Sequence, residues 1–139
     1  MATVPLVSDE AAGEEVAAVF ADIRKTRQTD FVNNFWRALA ANPALLRDTW
    51  ERAKVVMGPG TLDPLTKELI YVAVSSARGC AYCAHSHTAA ARAKGMTDAM
   101  YAELLDVMAL AAQTNALAEG LQVPVDGAFE RAGDVAPAA

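Results

Sequence analysis

Alanine sets the first limit on this chain. It accounts for 31 of the 139 residues, while aromatic residues make up only 6%. Ala has the highest helix propensity and is poor in strands, so the chain is expected to be all-α. Helix breakers then divide it into about six helices. Ser8 is expected to cap a first helix to about Arg27, with Val16, Val19, Phe20 and Ile23 at helical spacing. Asp30 is expected to cap a second, Phe31 to Ala41. Asn42-Pro43 starts a third, which carries Leu45, Leu46, Trp50, Ala53 and Met57 and stops at Gly58-Pro59-Gly60. Asp63-Pro64 opens a fourth, to about Arg78. A fifth runs from about Cys80 to Lys94 and is closed by Gly95. Thr97 or Asp98 opens a sixth, to about Glu119. The LIYVAV stretch from Leu69 to Val74 has strand propensity, but the Asp63-Pro64 start and the Ala-rich continuation favour helix. Met96, Met100 and Met108 read as core filler. Val123-Pro124 reads as a docking arm and the Ala/Pro-rich end as a frayed tail.

No repeat, linker or composition shift interrupts this pattern. A chain of 139 residues is one ordinary domain, 1–139. The formal net charge is −5 and there is no basic run, which argues against binding nucleic acid or an anionic membrane surface. The opening MATVPLVSDE has neither a basic nor an apolar signal region, and no stretch approaches ~20 apolar residues. A cytoplasmic location is therefore expected. The only two cysteines, Cys80 and Cys83, form one C-x-x-C, so a structural disulfide framework is excluded. In a reducing compartment such a pair is a redox couple, half of a metal site, or incidental.

The chemistry concentrates between Glu68 and His87. On a helical wheel that starts at Cys80, Cys83 falls at about −60° and His87 at about −20°. His85 and Tyr82 fall on the opposite side, which suits surface or packing roles. Residues three apart on a helix are roughly 5–6 Å apart, within the reach of a disulfide. His87 follows Cys83 by one helical turn, so its imidazole can take the thiol proton and stabilise the thiolate, the reactive form. The start of the helix also favours an anion. That effect alone favours Cys80 as the reactive thiol, whereas the histidine favours Cys83. Glu68 borders an apolar stripe with Leu65, Leu69 and Val72. A carboxylate there needs a partner. Across the joint at Gly79 it could reach back to His87, Cys80 or a trapped water, and would then orient the imidazole and accept its proton. The four candidate ligands Cys80, Cys83, His85 and His87 do not converge on one helix, so no metal and no cofactor is assigned.

Glu68, then eleven residues, then C-x-x-C-x-x-x-H resembles the active-site motif of the alkylhydroperoxidase D-like proteins of the carboxymuconolactone decarboxylase superfamily. The likeness spans roughly residues 31–121 and is strongest over 61–97. It implies an all-α fold in a dimer, trimer or hexamer. It also implies a peroxidase in which Cys83 attacks a hydroperoxide, Cys80 resolves the sulfenic acid as a disulfide, and Glu68 and His87 relay the proton. In the best-studied branch the reductant is a lipoyl-bearing protein, and a His precedes the second Cys. Here Tyr82 stands at that position, which points to a shorter relay, a lower rate or a different substrate. The decarboxylase branch generally lacks the C-x-x-C, so lactone decarboxylation is not expected. The other reading of the residues is a helical module without turnover, a redox sensor or oligomeric scaffold, and a general dithiol oxidoreductase lies between the two. Independently, Phe31, Phe35, Trp36, Leu39, Leu45, Leu46 and Trp50 crowd one early segment, which is expected to leave an apolar patch for a homo-oligomer.

Overall fold

The computed structural model describes residues 1–129. Six α-helices occur among them: α1 Glu14–Arg27, α2 Asn34–Leu39, α3 Pro43–Met57, α4 Pro64–Ala77, α5 Ala81–Ala93 and α6 Asp98–Gly120. A 3-10 turn follows at Gly127–Phe129, and no described residue is in a strand. The LIYVAV stretch lies inside α4. The chain divides into two compact units, Met1–Pro64 and Leu65 onward.

The first unit is built on rings. Val16, Val19, Phe20 and Ile23 of α1 pack with Val32, Trp36, Ala40, Leu46 and Trp50 in one buried cluster. Trp36 meets Trp50 edge-on at 5.3 Å between centroids, an arrangement the ring quadrupoles favour. The Arg27 guanidinium lies over both indoles. Trp50 Nε1 and Lys54 Nζ each donate to Asp22 Oδ2 at 2.7 Å. The Lys54 and Trp50 bonds hold the Asp22 carboxyl below its usual range. The early aromatic crowd is thus split. Trp36, Leu46 and Trp50 are core, whereas Phe31, Phe35 and Leu45 remain exposed.

Two helix starts differ from the sequence expectation. Ser8 Oγ accepts from the Ala11 amide and closes only a local turn, and α1 begins at Glu14 behind Gly13. The next residue, Asp9, is drawn instead into ion pairs with Arg24 and Arg37. Asp30 does not cap α2, which starts at Asn34 behind Asn33. Arginine side chains claim the carbonyls that an earlier helix needs: Arg24 Nε donates to Asp30 O and Arg37 Nε to Val32 O. By contrast α3 begins and ends where expected, with Asn42 Oδ1 accepting from the Leu45 amide and Pro43 at the first position.

The second unit buries little. The interior face of α4 is Glu68, Val72 and Ser75, and beyond it only Ala91 and Met96 are buried among the described residues of this unit. Met100 and Met108 are half-buried. Thr97 Oγ1 accepts from the Met100 amide and caps α6, a helix of 23 residues that buries none of them. Val123, at the segment expected to dock as an arm, is exposed. The Ala/Pro-rich end lies outside the described residues.

Candidate active site

The joint between α4 and α5 places the cysteines. Gly79 takes φ +69°, a left-handed conformation that Gly adopts without steric cost. With it the Gly79 amide reaches the Ser76 carbonyl and the Cys80 amide reaches the Ser75 carbonyl. This double bond pattern is a Schellman motif closing α4. Cys80 is therefore not the first residue of the next helix, as expected, but its N-cap, with φ −83° and ψ 88°. Its Sγ accepts from the Cys83 amide at 3.3 Å. The expected disulfide reach holds: Cys80 and Cys83 are 5.4 Å apart at Cα and are joined as a disulfide. Both are partly buried.

One turn beyond Cys83, His87 meets Glu68. Its Nδ1 lies 2.7 Å from Glu68 Oε2. Glu68 is only 4% exposed, so the partner demanded by its position is present. The structure supplies a second. Lys94 Nζ donates to the other oxygen, Oε1, at 2.8 Å. Burial pushes the Glu68 carboxyl up, but the bonds from His87 and Lys94 outweigh it and hold the group below 4.5. An ionised carboxylate only accepts hydrogen bonds, so His87 Nδ1 is the donor. Nε2 is then the ring nitrogen able to take a proton. Tyr71, three residues after Glu68, stacks on the imidazole at 3.6 Å between centroids and 17° between planes.

The sequence reading missed Lys94 and Tyr71. Both left a signal. Lys94 lies seven residues after His87, close to two helical turns, so the wheel that grouped Cys83 with His87 puts Lys94 on that face too. Tyr71 is one turn from Glu68 on α4. His85 is exposed and makes no part of this cluster, and Tyr82 is 44% exposed. Among the described residues no three His, Cys, Asp or Glu side chains gather as metal ligands.

This geometry sits within a recognisable family. The family model for the carboxymuconolactone decarboxylase family matches residues 43–126. The chain belongs to that family. Within it the chain is AhpD-like. It is 64% identical to the alkylhydroperoxidase AhpD core of Rhodospirillum rubrum, whose crystal structure superimposes with a TM-score of 0.90. The match covers 93% of this chain and 97% of that one. A second relative is the Paracoccus denitrificans protein named "Uncharacterized protein 4 in cox locus", 40% identical over 57 residues. That match spans 41% of this chain and about half, 51%, of the Paracoccus protein. The likeness to an alkylhydroperoxidase core supports a peroxidase-like function in this family.

Proposed function

We propose that this protein is a thiol-dependent peroxidase of the alkyl hydroperoxide reductase type, working through a Cys80/Cys83 dithiol–disulfide cycle. The observation that carries the reading is one helix start that bears an oxidisable cysteine pair and, a turn further on, an imidazole held by a buried carboxylate. In the reduced enzyme His87 Nε2 takes the Cys83 proton. The thiolate attacks the terminal oxygen of the hydroperoxide; the S–O bond forms, the O–O bond breaks, and the alkoxide leaves as alcohol once protonated. Cys80 then attacks the Cys83 sulfenic acid, forming the disulfide and releasing water. A dithiol of the dihydrolipoyl class restores both thiols and is itself oxidised to a disulfide. Glu68 orients the imidazole throughout, the usual part of a third group behind nucleophile and base.

Two further expectations belong to this reading. No helix among the described residues is long and apolar enough to cross a membrane, and we place the protein in the cytoplasm, where dithiol reductants are supplied. It is also proposed to be a homo-oligomer. Phe31 is 66% exposed and α6 leaves Leu105, Val107, Leu110 and Leu117 uncovered; apolar surface of that extent marks subunit contacts. Light scattering is expected to give a multiple of 14.7 kDa, and a single species at the chain mass overturns that part.

The decisive experiment is consumption of an alkyl hydroperoxide with dihydrolipoamide by the wild type, Cys80→Ser and Cys83→Ser. Both variants are expected to lose turnover. A dimedone-type probe is expected to trap sulfenic acid at Cys83 in Cys80→Ser. Trapping at Cys80 in Cys83→Ser, with none at Cys83, reverses the roles. A wild type that is oxidised once and never turns over is a sensor, and the peroxidase reading then fails.

A further inference from the structure

The two oxygens of the Glu68 carboxylate are held by two groups of different kinds. Oε2 faces the His87 imidazole and Oε1 faces the Lys94 ammonium. Both partners come from α5. His87 is inside the helix and Lys94 is its C-cap, where the chain turns through Gly95 at φ +102°. The Met96 amide returns to the Ala91 carbonyl and the Gly95 amide to Arg92, so this end of α5 is closed by backbone bonds that fix where the Lys94 stem begins. Lys94 is 39% exposed at its side chain while Glu68 is 6%. The lysine reaches the surface and the carboxylate does not. A buried carboxylate with only a neutral imidazole beside it takes up a proton readily, because burial disfavours the charged form.

We propose that Lys94 is a positioning residue of the redox site: it keeps Glu68 a permanent anion, so that the proton taken from Cys83 stops on His87 instead of passing on to Glu68. The proposal rests on the reading that His87 serves Cys83, and it revises the role expected for Glu68 from the sequence. With Lys94 in place, Glu68 holds Nδ1–H and stabilises the imidazolium beside the thiolate. Proton transfer is then a single step, from Cys83 Sγ to His87 Nε2. The groups acting on Glu68 are His87 and Lys94 from α5; from α4 the neighbour is Tyr71, which lies over the imidazole. The lowered carboxyl agrees with the geometry, since both bonds to α5 oppose the effect of burial.

The test uses stoichiometric alkylation of the single thiol Cys83 in the reduced full-length Cys80→Ser protein, followed across pH. It does not depend on peroxide turnover. Lys94→Met is expected to move the acid limb of the profile upward by about one pH unit, about tenfold slower alkylation at a fixed pH on that limb. Lys94→Arg, which keeps the charge, is expected to restore the limb. In the Glu68→Gln background Lys94→Met is expected to add no shift, the signature of one residue acting through the other. Carboxyl 13C NMR is expected to show the Glu68 titration itself moving up in Lys94→Met. A uniform rate loss without a shift, a shift that persists in Glu68→Gln, or an unmoved Glu68 titration overturns the proposal. If instead peroxide is never consumed while these shifts appear, the peroxidase reading fails and the role of Lys94 stands.

Discussion

The two units bury opposite chemistry. The first encloses nine apolar side chains, two of them indoles. The second encloses a carboxylate and a serine, with only Val72, Ala91 and Met96 as apolar company among the described residues. Apolar burial stabilises by roughly 25 cal/mol per Å² and is indifferent to protons. A buried carboxylate stabilises only while its cations are in place and it remains ionised. The apolar interior of the first unit is therefore insensitive to pH, its carboxylates such as Asp22 standing at the rim. The second gives part of its interior to groups whose charge must be controlled, which is the arrangement expected of a reactive site.

The strongest way to break this contrast is in the ring cluster. Leu46 is fully buried, and Leu46→Ala is expected to cost about 2–5 kcal/mol. Urea denaturation at acidic and at neutral pH is expected to give the same loss; a loss that depends on pH removes the distinction. Next comes the joint before α5. A Cβ at Gly79 meets nothing within 4 Å, so the cost of Gly79→Ala is the φ of +69° alone, about 1–2 kcal/mol. Gly79→Asn is expected to recover part of it, since Asn tolerates that region better, and denaturation midpoints of the two variants check this. The smallest effect is the acid response of Glu68. Its folded pKa lies below the ordinary 4.5. Its contribution is then fully present above 4.5 and is lost as pH falls through the lower, folded value. Glu68→Gln is expected to flatten that acid-side fall in stability. Superimposable stability curves for the two proteins below 4.5 count against the buried pair as a stabilising element.

What the sequence made legible was local. Asn42-Pro43, Gly58, Thr97 and Gly95 each carry their own signal, and α3, α6 and the end of α5 fall where those residues put them. Ser8 and Asp30 are good caps by type, yet neither starts a helix. The decision there was made by Arg24 and Arg37, whose reach across five to thirty residues no local pattern records. The candidate site divides the same way. Helical spacing brought Cys83 and His87 to one face, and the cost of a carboxylate in an apolar stripe pointed Glu68 at a partner. Lys94 escaped because a lysine near a helix end has an ordinary explanation in the helix dipole. Its tie to Glu68 appears only once α4 and α5 fold back at Gly79.

The unequal exposure of Lys94 and Glu68 also sets the order in which this site can be lost by mutation. Replacing Glu68 first leaves an ammonium that turns outward into water at little cost. Replacing Lys94 first strands a carboxylate that has no route to solvent. A lineage abandoning the chemistry is therefore expected to shed Glu68 before Lys94, and descendants that keep the lysine without the glutamate to outnumber those with the glutamate alone.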